Sequence, residues 1–97
     1  MPTYFILLNW TEQGIKNVKD SPKRLDAIKK SLKGIGGEVK SFYMLQGAYD
    51  LALIMEAPSD EALAKLLLKV GAAGNVRTMT MKAYPEAEYR KILAALG

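Results

Sequence analysis

The chain predicts an α+β fold of ferredoxin-like type, ordered β-α-β-β-α-β with a further helix at the C-terminal end. Three observations predict it. Short runs of branched and aromatic residues alternate with stretches whose apolar positions recur at helical spacing. Gly and Pro mark the boundaries between them. In the middle, two apolar runs are separated only by a hairpin signal, which pairs their strands directly. Folds of this order place the first and third strands at the centre of an antiparallel sheet, with both helices on one face. A length of 97 residues fits one domain spanning the whole chain, 1–97.

Thr3 to Trp10, TYFILLNW, reads as the first strand. Thr11 is placed to cap a helix, with Glu12 in its first turn and Ile15 and Val18 at helical spacing. Asp20-Ser21-Pro22 interrupts it, and Ser21 as cap with Pro22 at the first helical position predicts a restart. Leu25, Ile28, Leu32 and Ile35 then form one stripe, ended by Gly34, Gly36 and Gly37. Glu38 to Gln46 is the second strand, Gln46-Gly47-Ala48-Tyr49 a tight turn with Gly first, and Asp50 to Ala57 the third strand. Ser59 caps the next helix, Asp60 and Glu61 suit its positive end, Leu63, Leu66, Leu67 and Val70 face inward, and Gly71 and Gly74 stop it. Asn75 to Ala83 is the fourth strand. Pro85 and Glu86 open the last helix, with Tyr89, Ile92, Leu93 and Leu96 on one side.

The central strands carry apolar residues on both faces. Tyr4, Ile6 and Leu8 point one way and Phe5 and Leu7 the other; Leu51, Leu53 and Met55 oppose Ala52 and Ile54. A half-solvated antiparallel sheet shows clean alternation instead. Helices cover one face, so the other needs a cover too. The expectation is a second copy of the chain, sheet against sheet, in a dimeric α+β barrel burying roughly 2,000 Å² or more. The alternative is the C-terminal helix folded back over the open face. Asp50 and Glu56 share a side with Ala52 and Ile54, and unpaired carboxylates avoid packed helices. This assigns Asp50 to the open side and Tyr49 to the helix side with Leu51.

Composition excludes several chemistries. The chain has no Cys and no His, which removes disulfides, thiolate metal sites and the commonest general base. The net charge of +4 is spread: residues 1–50 hold eight basic and five acidic side chains, and residues 51–97 hold six and five. No apolar run approaches the roughly 20 residues of a membrane span, and no signal peptide opens the chain, so a cytoplasmic location is expected. The third strand, YDLALIM, lacks the aromatics of an RNA-recognition module, and nucleic acid is not an expected partner. No Arg follows the first strand to cradle a phosphate, and Gly34-Ile35-Gly36-Gly37 precedes a strand, the wrong context for a nucleotide loop. No cofactor, metal site or catalytic residue is expected.

At Gly47-Ala48-Tyr49-Asp50 the sequence resembles the GYD-domain family, which takes its name from a G-x-Y-D element. Asn9-Trp10-Thr11, Gln13-Gly14-Ile15, Val18-Lys19-Asp20-Ser21-Pro22 with Arg24, and Gly74-Asn75-Val76-Arg77-Thr78 are similar to that family in the same order. The resemblance implies a ferredoxin-like, dimeric barrel protein and no established activity. Residues 42–82 also resemble the ligand-binding domain of feast/famine transcription regulators, through Gly47, Tyr49 and Asp50, then Val76, Thr78 and Thr80, with Asn75 standing where that pattern has Gly. That likeness implies a metabolite bound at a subunit interface.

The candidate ligand-binding residues are Asn9, Trp10, Tyr43, Gly47, Tyr49, Asp50, Arg77 and Thr78. Gly47 makes the turn or lets a ligand approach the backbone. Asp50 accepts a ligand ammonium, pairs with Arg77 of a second copy, or caps a nearby loop. Arg77 suits a carboxylate or phosphate bidentately, or ends a strand in solvent. Thr78 and Thr80 offer hydroxyls on one face, though Thr is also simply a good strand former. Trp10, Tyr43 and Tyr49 line a pocket or pack the core. Asn9, polar in an apolar strand, needs a hydrogen-bond partner. The expected function is binding of a small anionic or zwitterionic metabolite at the interface of a homodimer or larger assembly. The alternatives are a small cofactor-independent monooxygenase- or isomerase-like enzyme, and a purely structural interaction module.

Overall fold

Thr3–Trp10 forms strand β1, whose alternate residues Tyr4, Ile6 and Leu8 are buried, in the computed structural model of residues 1–97. Helix α1 (Glu12–Lys16) follows, started by Thr11, whose Oγ1 accepts the Gly14 amide at 3.1 Å. A single 3₁₀ turn at Val18–Asp20 leads into α2 (Ser21–Gly34). Ser21 is not the cap: Asp20 stands there, already helical and with no side-chain cap bond, because the turn flows into the helix without an extended residue. The end of α2 is a Schellman closure, with Gly36 at φ +87°, its amide on Lys33 O and the Gly37 amide on Leu32 O.

Strands β2 (Glu38–Met44) and β3 (Leu51–Glu56) are shorter than expected, and a six-residue connection, Leu45 to Asp50, replaces the tight turn. It is closed by the Leu45 amide on Asp50 O at 2.7 Å. Helix α3 (Asp60–Ala72) is capped by Ser59, whose hydroxyl accepts the Ala62 amide at 3.1 Å. Gly71 lies inside α3 rather than ending it; Gly74, at φ +85°, makes the stop. Strand β4 (Val76–Ala83) and helix α4 (Glu86–Ala94) complete the chain.

The sheet order is β2-β3-β1-β4, all neighbours antiparallel. Both long helices lie on the side of Tyr4, Ile6, Leu8, Leu53 and Met55, where Leu32, Leu63 and Leu66 complete the core. Each buried large side chain there stabilises the fold by roughly 1.5–3 kcal/mol. Register sets the other face: Phe5 stands between Ile54 and Met81, and Leu7 between Ala52 and Met79. Phe5 (37%), Met79 (47%) and Met81 (42%) remain exposed there. No residue of α4 is buried, and Tyr89, Ile92, Leu93 and Leu96 are exposed. The last helix therefore leaves the open face uncovered.

One polar link ties sheet to helix. The buried Tyr4 hydroxyl donates to the Asp60 carboxylate at the start of α3, and Lys82 Nζ lies 3.5 Å from the same oxygen. Desolvation and then this bond push the Tyr4 hydroxyl up to about 12, while the bond and then Lys82 hold Asp60 below its ordinary 3.8. The raised hydroxyl contributes stability that is complete below its ordinary value of 10.0 and is lost as pH climbs toward 12. The depressed carboxylate contributes stability present above 3.8 and lost as pH falls through its lower folded value. The stability gap between wild type and Tyr4→Phe is therefore expected to be flat from about pH 4 to 10 and to shrink beyond both ends, read by urea unfolding across pH. A gap unchanged at pH 11.5 would contradict the link.

Candidate functional site

Three polar residues form one row across an end of the sheet. Asn9 pairs in register with Arg77 of β4, and so projects to the open face with it. On its other side, Asp50 sits just before β3, where its backbone amide donates to Leu8 O at 2.9 Å. Asp50 Oδ2 accepts the Trp10 backbone amide at 2.9 Å and Asn9 Nδ2 at 3.5 Å. Asn9 Nδ2 also donates to Ala48 O at 2.9 Å. Asn9 thus has the partners that its place in an apolar strand demands. Asp50 Oδ2 caps the end of β1, while Oδ1 has no protein partner. Arg77 is exposed and makes no ion pair within the chain.

Two tyrosines flank this row. Tyr43 pairs with Ala52, which places it on the open face, 60% exposed. Tyr49 does not share the helix side with Leu51. Its hydroxyl donates to Met79 Sδ at 3.4 Å, and Met79 faces Leu7 on the open side. The alternation argument fails for Tyr49 because β3 begins at Leu51, so Tyr49 belongs to an irregular loop without strand parity. Gly47, at φ +152°, lies at the exposed crest of that loop.

Trp10 and Thr78 are on the opposite side. Trp10 pairs with Val76 and packs against the core, and Thr78 pairs with the buried Leu8. The register therefore separates them from the row. The Trp10 indole N–H is buried without an acceptor, an uncommon state for such a donor.

Several motifs shared with the resembled family meet at this same end for structural reasons. The Thr11 amide donates to Asn75 O at 3.0 Å and its hydroxyl to Gly74 O at 2.5 Å. Gln13 Nε2 donates to Ala73 O and to Asn75 Oδ1, both at 3.0 Å. These bonds press α1 onto the turn before β4, and a Cβ on Gly14 would stand 1.9 Å from Asn75 O.

A concavity on the helix side of the sheet is not foreshadowed by the sequence reading. Between α2, α3 and the sheet lies a cleft of about 280 Å³, walled by apolar side chains that include Leu25, Ile28, Leu66 and Val70. None of the candidate residues lines it. Its signal in the sequence was the small pair Ala27 and Ser31, one turn apart on α2, which leaves space beside a stripe read only as core.

No helix is long and apolar enough to cross a membrane. The chain is 30% identical over 89 residues to the glutamine synthetase and cystathionine beta-lyase binding protein of Thermus thermophilus, covering 91% of this chain and 94% of that one. Among solved structures it is similar to a hypothetical protein from Pyrococcus horikoshii, at 25% identity and TM-score 0.54, covering 89% of this chain and 93% of that one. It is also similar to a feast or famine regulatory protein from M. tuberculosis complexed with L-methionine, at 24% identity and TM-score 0.65. That likeness covers 89% of this chain and establishes the fold; the chain spans 54% of the regulator's length. The GYD domain matches residues 4–93, nearly end to end, and with the motifs that converge beside Asn9 it fixes the assignment: the chain belongs to the GYD-domain family.

Proposed function

We propose that this chain acts as one cytoplasmic domain, residues 1–97, and is a small oligomeric binding protein. A second copy covers the open sheet face, and a small anionic or zwitterionic metabolite is held where the two copies meet. The observation that supports this is one of placement. The apolar patch of Phe5, Leu7, Ile54, Met79 and Met81 runs directly into the polar row of Asp50, Asn9 and Arg77. Strands in a sheet are about 4.8 Å apart, so Asp50 and Arg77 are anchored roughly 10 Å from each other. Arg77 presents its guanidinium fork to a carboxylate, and Asp50 Oδ1 accepts an ammonium. Tyr43 and Tyr49 form the side walls.

A thermal-shift panel of amino acids and small organic acids tests the metabolite. A ligand-dependent rise in Tm that falls by at least half in Arg77→Ala is expected; Arg77 is exposed, so the variant keeps its fold. A rise equal in wild type and variant removes Arg77 from the site, and no rise anywhere in the panel removes the metabolite.

A second reading is favoured by the relative from Thermus thermophilus, a binding protein for two enzymes by its name. On that reading the open face receives a protein partner. Titration with purified glutamine synthetase and cystathionine beta-lyase from the source organism, followed by biolayer interferometry, separates the two readings: binding lost in Phe5→Asp supports the partner, and no binding by either enzyme dismisses it.

A further inference from the structure

We propose that the cleft between α2, α3 and the sheet is a binding site for a small amphiphilic carboxylate, its tail inside and its anion held by Arg24 and Lys69. This site lies in the helix layer, apart from the row on the open face. Its volume of about 280 Å³ is at the small end of ligand clefts, which run from roughly 300 to 1,000 Å³. The walls are aliphatic, apart from Phe42, and the polar groups are few: the two cations, two Ser hydroxyls and the Asn75 amide. Such a lining takes an apolar body and orients it by one end.

The charge decides which end. Two cations line the cleft and no carboxylate does. Neither Arg24 nor Lys69 forms an ion pair in the chain, so both charges are open to an anion in the cleft. Arg24 is also held in place. One guanidinium nitrogen donates to Asn17 O at 3.1 Å and the other to Gly14 O at 3.4 Å, which fixes the fork while leaving N–H groups free. An oriented Arg and an unpaired Lys lining one aliphatic cleft complement a monoanion with a short hydrocarbon tail. They repel a cation of the same shape and give a neutral alcohol no charge to pair with.

Octanoate is the probe, titrated into the full chain and followed by methyl-resolved NMR, with acetate, octanol and octylammonium as comparators. Saturable octanoate binding is expected, with shifts at the Ile28, Leu66 and Val70 methyls. Octylammonium and acetate should bind at least tenfold more weakly, and octanol at least threefold. Exposed charge pairs contribute modestly, so Arg24→Gln with Lys69→Gln should weaken octanoate by about fivefold. Ala27→Phe, which fills the cleft from an exposed position, should abolish it. Octanoate should leave the Leu7, Met79 and Met81 methyls of the open face unshifted, which keeps this site distinguishable from that face. If the double variant fails to fold, Lys69→Gln alone and Ala27→Phe carry the test. Equal binding of octanol and octanoate, shifts confined to the open face, or unchanged binding in folded Ala27→Phe would each overturn the proposal.

Discussion

Phe5→Asp is expected to leave a folded monomer of 10.7 kDa, against the dimer expected of the wild type, read by light scattering after size exclusion over a concentration series. Phe5 stands at the middle of the open face, between Ile54 and Met81. In a free chain its side chain already meets water, so a carboxylate there costs the fold little. Against a second sheet the same carboxylate is buried without a partner. Central interface residues typically carry 2 kcal/mol or more, and a two-fold interface counts the change twice. Dimer affinity should thus fall by roughly a thousandfold or more. A wild-type species of 10.7 kDa at low micromolar concentration would remove both the dimer and the shared site from consideration.

Gly14→Ala is expected to destabilise the fold by about 3 kcal/mol, seen as a Tm lower by roughly 12–24 °C. The added Cβ would lie 1.9 Å from Asn75 O and 2.8 Å from its carbonyl carbon. That carbonyl cannot simply step aside, because it accepts the Thr11 amide at 3.0 Å. Relieving the clash stretches this bond and lifts α1 from the turn before β4, adding about 1 kcal/mol to the packing cost. Gly34→Ala is the control. Nothing lies within 4 Å of a Cβ there, and Ala is the better helix residue, so stability should hold or rise by up to about 1 kcal/mol. If Gly14→Ala melted within about 1 kcal/mol of wild type, the tight contact of α1 with the β4 turn would be wrong.

Local chemistry made most of the fold legible. Thr11 and Ser59 are the caps they were read to be, because an N-cap is decided by one side chain and the amide three residues on. Both faces of β1 and β3 are apolar, so the helix side of β3 followed from strand parity together with the carboxylates of Asp50 and Glu56, which mark the opposite side. Errors came where parity was carried past a strand end. Tyr49 was placed with Leu51 on the helix side, yet it belongs to a loop that crosses to Met79. Gly71 was read as a stop, but α3 runs through it, since Gly costs a helix only about 1 kcal/mol and the packed stripe outweighs that.

The candidate residues divide along the same line. Residue identity and local position pointed to Asn9 as a polar side chain in an apolar strand, to Asp50 as a carboxylate at a strand start beside a turn, and to Arg77 as a bidentate partner for an anion. Which of them share a face was a matter of register. Asn9 meets Arg77 across β1 and β4, whereas Trp10, one residue on, is turned to the core with Val76. Composition and spacing thus determined the elements, their order, the greasy centre of the sheet and the family motifs, all of which depend on neighbours within a few positions. Only the tertiary structure decided that Asp50 caps β1, that α4 leaves the open face bare, and that a cationic cleft opens between α2 and α3. Each of those depends on contacts between residues distant in the chain, and the distance between two packed elements is set by every side chain along them, not by any one that a reader can point to.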